Sequence, residues 1–268
     1  MGKKRKAGNR SAKQAAKGKP RWMWAGVLAP LVVIAAFLMV RWLAPPPSSP
    51  AGAHPASGRT LVQPAILNLL ERLPAGASGS GANSYRGGPL PAGGPPLVSR
   101  KGKPEVLYVG AEYCPYCAAE NWALVTALSH FGRFSRLHYI TSSMADIYPG
   151  TATFTFYGSK YQSAGITFRA VELAGNTLVN GRYPPLESPS PQEKQIMARY
   201  DPKGNIPFLD IGGRYVQVGS AYSPALFQGL TQAHIAGRIA EKGTPLHKAV
   251  LNAAAVLIRD IDTVRGAK

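Results

Sequence analysis

The sequence predicts an α/β domain carried behind a single N-terminal membrane-spanning helix, and three observations lead there. An uncharged run of 19 residues, Trp22–Val40, follows a dense basic tail. After a Pro/Ser/Gly-rich stretch, strand-like and helix-like patterns alternate, and both cysteines of the 268-residue chain, Cys114 and Cys117, fall at a strand-to-helix junction. A hairpin pattern and two helical patterns close the chain.

The formal charge of +18 reads as a nucleic-acid signature until it is located along the chain. Residues 1–21 hold nine Lys or Arg and no acid, whereas the rest has 22 basic and 13 acidic side chains, a net +9. That is a mildly basic globular surface, so no nucleic-acid partner is expected. The apolar run explains the tail better. At about 1.5 Å per residue it extends roughly 29 Å, close to the hydrocarbon thickness of a bilayer. Trp22, Trp24 and Trp42 suit the two interfacial belts, and the Lys/Arg tail is expected on the cytoplasmic side. The span is assigned to residues 22–43, which places everything beyond it outside the cytoplasm. A cleaved signal peptide and a buried core helix are the alternatives. No cysteine stands near the end of the apolar run, which excludes a lipid-anchored lipoprotein.

Residues 44–59 form a Pro/Ser/Ala/Gly tether. Residues 60–104 then read as an N-terminal extension, with a short amphipathic helix over Gln63–Arg72 and a Gly/Pro loop from Ala75 to Pro96. The body of the protein occupies 105–268. Its first strand is the apolar stretch after Pro104, and the helix after Cys114 carries Trp122, Leu124, Val125 and Leu128, with Gly132 as its C-cap. A second strand surrounds Tyr139 and Ile140. Thr151–Leu173 alternates β-branched and aromatic residues about a Gly/Ser centre, predicting two further strands paired with each other. Ser190 and Glu193 have capping-box spacing around Pro191, predicting a helix that ends at the Asp201–Asn205 turn. Ile206–Ser220 predicts a hairpin about Gly212 and Gly213, and two helices begin at Ser223-Pro224 and Thr244-Pro245.

The cysteine pair admits three readings. A structural disulfide gains most by closing a long loop, and this pair closes almost none. A structural zinc site needs four ligands, but there is no second cysteine pair, and His54, His130, His138, His234 and His247 are dispersed, so no metal is expected. Redox chemistry needs only two cysteines in the right place. At a helix start, Cys114 is expected to be partly exposed, with its thiolate favoured by the positive end of the helix. Cys117, nearly one turn further in, suits the resolving thiol. Pro115 fixes φ for helix entry, Tyr116 flanks the reactive sulfur, and Tyr113 lines the groove. Trp122 and His138 read as core or core-edge residues.

The segment AEYCPYC, between an apolar strand and a helix, resembles the active site of the thioredoxin superfamily, and its Pro-Tyr dipeptide is similar to that of glutaredoxins. NIPFLDIGGRYVQVGS resembles the hairpin that follows the family's cis-proline loop. This resemblance implies a thioredoxin-like fold, makes Pro207 the cis-proline facing Cys114, and gives Ile206 backbone groups that pair with an extended substrate. More closely, YVGAEYCPYCAAENWAL, TFTFYGSKYQS and NIPFLDIGG together resemble domain-of-unknown-function family 929, a membrane-linked bacterial and archaeal group regarded as thioredoxin-like. The likeness runs from about Thr60 to the C-terminus.

Two departures stand out. Tyr108 occupies the strand position where thioredoxins usually bury an acid. Glu112 and Glu120 flank the motif as possible substitutes, although solvated loop and helix-end charges are the plainer reading. The β-rich stretch, within about 141–200, reads as an insertion before the proline loop. The function expected is a membrane-anchored, extracytoplasmic thiol-disulfide oxidoreductase or isomerase acting on protein thiols or disulfides. Cys114 is its nucleophile, Cys117 its resolver, and Tyr113, Pro115, Tyr116, Ile206 and Pro207 its substrate-binding residues. No cofactor is expected, and the electrons pass to or from a redox partner that this chain does not contain. The alternative is a non-catalytic binding module of the cell envelope.

Overall fold

The computed structural model describes residues 58–73 and 88–266. The basic tail 1–21, the expected span 22–43, most of the tether 44–59 and the Gly-rich residues 74–87 lie outside the described residues. Among the described residues, no helix is long and apolar enough to cross a membrane.

In chain order the elements are β1 (Thr60–Leu61), α1 (Pro64–Arg72), β2 (Leu90–Pro91), β3 (Glu105–Gly110), α2 (Pro115–Ser129), β4 (Gly132–Ser135), β5 (His138–Thr141) and β6 (Ala152–Thr155). They continue with β7 (Lys160–Ser163), β8 (Thr167–Glu172), α3 (Pro191–Tyr200), β9 (Phe208–Ile211), β10 (Tyr215–Val218), a 3-10 turn (Pro224–Phe227), α4 (Gln232–Ala240) and α5 (Pro245–Gly266). Among the described residues the result is a mixed α/β architecture of three sheets and five α-helices.

The principal sheet runs β2-β10-β9-β3-β8. β3 lies parallel to β8 and antiparallel to β9, so both of its edges are paired, and its run from Val106 to Gly110 is buried, as suits a central strand. Alternation then sorts the side chains. Val106, Tyr108, Leu209 and Ile211 join the large core built with α2, α4 and α5. Leu107, Val109, Val171 and Phe208 pack on the other face against Ile196, Met197 and Tyr200 of α3. Helices therefore cover both faces, and α2, apolar around almost its whole circumference, is buried from Cys117 to Leu128. Trp122 at its centre donates from Nε1 to the Ala152 carbonyl at 2.9 Å. β1-β5-β6 and β4-β7 form two smaller antiparallel sheets.

Local chemistry explains most boundaries. α1 starts with Pro64 at its first position, and α3 has a complete capping box: the Ser190 amide donates to the Glu193 carboxylate at 2.6 Å, and the Glu193 amide donates to the Ser190 hydroxyl at 3.2 Å.

Three expectations are corrected. Gly132 does not cap α2, which closes at His130; it opens β4, where a Cβ would stand 2.2 Å from the Gln162 carbonyl of β7, so the close strand approach demands glycine. Thr151–Leu173 forms three strands rather than two, and none pairs with another: β6 joins β5, β7 joins β4 and β8 joins β3. The stretch read as an insertion thus supplies the parallel neighbour of β3. Ser223-Pro224 starts only a 3-10 turn, which breaks at Gly229 with φ of 71°, and α4 begins afresh behind a Thr231 cap.

Candidate functional site

The site is built where β3 ends. The chain turns through Ala111–Tyr113, and α2 begins with Cys114 as its N-cap residue, in extended geometry. The Cys114 sulfur does what a capping oxygen does elsewhere: it accepts the Cys117 amide N–H at 3.2 Å. Pro115 occupies the first helical position, where a missing N–H costs nothing.

The two thiols are driven apart. The Cys117 side chain and amide, together with the Tyr116 amide, act on the Cys114 sulfur and lower its pKa against the opposing effect of burial. Burial pushes Cys117 well up, and the neighbouring Cys114 and Glu172 add to that. Loss of the proton is thus eased at Cys114 and opposed at Cys117.

Cys114 is only 5% exposed, less than a partly exposed thiol was expected to be. Tyr113, Leu173 and Ile206 close around it. The Cys114 thiol faces the Ile206 carbonyl at 3.9 Å, and the Ile206–Pro207 peptide bond is cis, with Pro207 buried. Tyr113 stacks on Tyr183 with centroids 4.3 Å apart. Tyr116 is 40% exposed and meets the Tyr148 ring edge-on at 5.9 Å. All seven site residues expected from sequence thus gather at this one end of the sheet. The loop after β5 is pinned beside them, since Ser143 donates its amide to the Tyr113 carbonyl at 3.0 Å and accepts the Tyr183 hydroxyl at 2.8 Å. Met144 and Ile147 of that loop are exposed.

Neither flanking glutamate is a solvated charge. Glu112 is buried and clasped by Arg59, Nε to Oε1 at 2.9 Å and Nη2 to Oε2 at 3.1 Å, while Thr155 donates to it at 2.7 Å. Arg59 also lies over the Tyr157 ring, 4.6 Å from its centroid. Glu120 is fully buried on α2, accepting the Ala221 amide at 2.8 Å, and desolvation raises it to about 7. Both were misread because a local sequence window cannot show a partner 53 or about 100 residues away.

Sequence reasoning missed Tyr148, Tyr183 and Glu172. Glu172, 1% exposed at the end of β8, is raised to about 8, chiefly by burial. Tyr148 and Tyr183 sit in Pro/Gly-rich loops with no periodicity to mark them. A β-branched and aromatic strand closing on a glutamate was the one available signal for Glu172. Among the described residues, no cluster of three or more His, Cys, Asp or Glu is arranged to hold a metal ion.

Residues 95–184 match a family model described as a domain of unknown function, DUF929. The match supports that family likeness over about a third of the chain, a segment that holds both cysteines and Glu172 but ends before Ile206. No curated protein and no solved structure matches the chain.

Proposed function

We propose that this protein is a thiol-disulfide oxidoreductase with a thioredoxin-like fold, anchored in the membrane by residues 22–43 and acting on protein thiols or disulfides outside the cytoplasm. The observation that carries the reading is the asymmetry of the two thiols. Cys114 caps a helix and loses its proton the more readily; Cys117 lies deeper and loses its own less readily. The four-strand set β10-β9-β3-β8, with its hairpin antiparallel and β8 parallel to β3, supports the fold assignment.

In the reductive direction, the Cys114 thiolate attacks one sulfur of a substrate disulfide. A mixed disulfide forms, and the other substrate sulfur leaves as a thiolate that takes up a proton. Cys117 then gives up its proton to solvent and attacks the Cys114 sulfur, the bond to the substrate breaks, the released substrate thiolate takes up a proton, and the Cys114–Cys117 disulfide remains. The substrate gains the two electrons that the pair loses. Run backwards, the same steps oxidise a substrate dithiol, and the redox partner regenerates the starting state. The aromatic collar of Tyr113, Tyr116, Tyr148 and Tyr183, with the Ile206 carbonyl opposite Cys114, supports an extended polypeptide as the docking substrate.

The near-complete cover over Cys114 favours a second reading, a binding module whose cysteines do no exchange. Trapping separates the two. A Cys117→Ser chain should accumulate mixed disulfides with extracytoplasmic proteins, reversible by dithiothreitol and absent from the Cys114→Ser/Cys117→Ser chain. Equal recovery from both chains would favour the binding module.

A further inference from the structure

The exchange steps need the Cys114 sulfur to meet another chain, yet that residue is 5% exposed. Tyr113 supplies part of the cover, packing against the cluster that holds both cysteines. Three contacts fix Tyr113 there, and they close on themselves. The Ser143 amide donates to the Tyr113 carbonyl at 3.0 Å. The Tyr183 hydroxyl donates to the Ser143 hydroxyl oxygen at 2.8 Å. The Tyr183 ring lies on the Tyr113 ring, 8° from parallel with centroids 4.3 Å apart. Ser143 is buried, so breaking the hydroxyl bond leaves an oxygen short of a donor away from water, and the ring is held shut accordingly.

The two residues that hold Tyr113 stand on separate loops, each tied at its base. Ser143 belongs to the loop between β5 and β6, which Ser142 closes: its amide donates to the Thr151 carbonyl at 2.8 Å, and its hydroxyl oxygen accepts the Thr151 amide at 2.9 Å. Tyr183 follows a two-residue turn, Asn180-Gly181, with φ of 51° and 74°, and Val179 and Arg182 exchange amide-to-carbonyl bonds of 2.8 and 3.1 Å across it. The Gly175 amide closes this second loop on the Pro184 carbonyl at 2.9 Å. Asn176 links the two loops, donating to the Thr141 carbonyl at 2.9 Å. Met144 and Ile147 on the first loop, and Leu178 and Val179 on the second, are exposed. Segments with tied bases and exposed tips belong to the part of a fold that opens at low free energy.

We infer that Tyr183 is a latch on the cysteine site: it holds Tyr113 across Cys114, and a substrate reaches the sulfur when Tyr183 lets Tyr113 go. The use of the latch in catalysis rests on the exchange reading above; the cover itself does not. Tyr183 acts through Tyr113 and is a positioning residue. Release breaks one hydrogen bond and one ring stack, while the Ser143 amide keeps its hold on the Tyr113 main chain, so the ring swings and the turn before Cys114 stays in place. The two ring faces freed by release then become available to the incoming chain. A latch of this kind reconciles a thiol whose ionisation is eased with a cover that keeps it from solvent.

The test is iodoacetamide alkylation of Cys114 in the full-length Cys117→Ser chain, followed across pH. The rate climbs as the thiol ionises and then reaches a plateau, and the plateau reports access to the sulfur. Tyr183→Phe keeps the ring and removes the hydroxyl; it should raise the plateau about fivefold, the worth of one hydrogen bond, with the midpoint unmoved. Ser143→Ala breaks the same bond from its other end and should gain at least as much, since the Ala145 amide also loses its acceptor. Tyr183→Ala removes the stack as well and should gain at least about tenfold. The first two variants each delete one oxygen and serve if Tyr183→Ala misfolds. Plateaus of Tyr183→Phe and Ser143→Ala that both stay within twofold of the parent's overturn the inference. So does a shifted midpoint at an unchanged plateau, which would place the effect on the charge of Cys114. Failure of the Cys117→Ser chain to trap mixed disulfides refutes exchange instead and leaves the alkylation result standing, so the two failures are told apart.

Discussion

Replacing Glu172 with Gln should flatten the dependence of stability on pH. Burial raises this carboxyl from an ordinary 4.5 to about 8. Between those values the folded protein holds a proton that the unfolded chain has released, so stability falls as pH rises. The contribution is fully present below the unfolded value near 4.5 and is lost as pH climbs through 8. At about 1.4 kcal/mol per pKa unit, the shift is worth roughly 5 kcal/mol when fully developed, of which about 3 kcal/mol falls between pH 5 and 8. A carboxamide can still accept the Phe156 amide but has no proton to lose. The assay is urea unfolding of the full-length chain, with and without Glu172→Gln, in a Cys114→Ser/Cys117→Ser background that removes thiol titration. Glu120, raised to about 7, and Asp210, raised to about 6, carry the same sign but are common to both proteins and cancel in the difference. The unfolding free energy of the variant relative to its parent should rise by about 3 kcal/mol from pH 5 to 8. A difference that stays constant with pH refutes the uncompensated burial of Glu172.

Four further outcomes are expected. Iodoacetamide should alkylate Cys114 in the Cys117→Ser chain at least tenfold faster at pH 7 than Cys117 in the Cys114→Ser chain; equal rates would contradict the asymmetry. Arg59→Ala leaves Glu112 buried without its cation and should cost about 1–3 kcal/mol in urea unfolding, the lower end reflecting the partial exposure of Arg59. Trp122→Ala should cost about 3–5 kcal/mol, since it opens a cavity at the centre of α2 and leaves the Ala152 carbonyl short of a donor; a loss under 1 kcal/mol would place the core elsewhere. Ser190→Ala should cost about 1 kcal/mol by removing half of the α3 capping box, detectable as a lowered urea midpoint at unchanged slope.

The parts legible in the sequence were those with local causes. Pro64, the Ser190/Glu193 pair and the Gly212-Gly213 turn declare their elements through chemistry confined to a few residues, and α1, α3 and the β9–β10 hairpin stand where those signals put them. The cysteine pair was legible for the same reason, since spacing and a preceding apolar strand suffice to place it at a helix start. What depended on distant partners was not. Thr167–Glu172 alternates as a half-exposed hairpin strand would, yet it lies beside β3 in the principal sheet, and only the return of the chain after α2 decides that. Glu112, Glu120 and Glu172 look like ordinary surface acids because burial, the property that makes each unusual, is conferred by chain far from it in sequence. Tyr108 could be read as a departure, but the acid beside it on β8 required the strand pairing.

The most direct test is the redox equilibrium of the full-length chain in defined glutathione buffers, compared with its two single-serine variants. A reversible couple above about −270 mV, lost in both variants, is predicted, with the range of about −200 to −230 mV expected for a Pro-Tyr dipeptide. A disulfide that resists reduction below about −300 mV would contradict thiol exchange and leave the cysteines as a fixed part of a binding module.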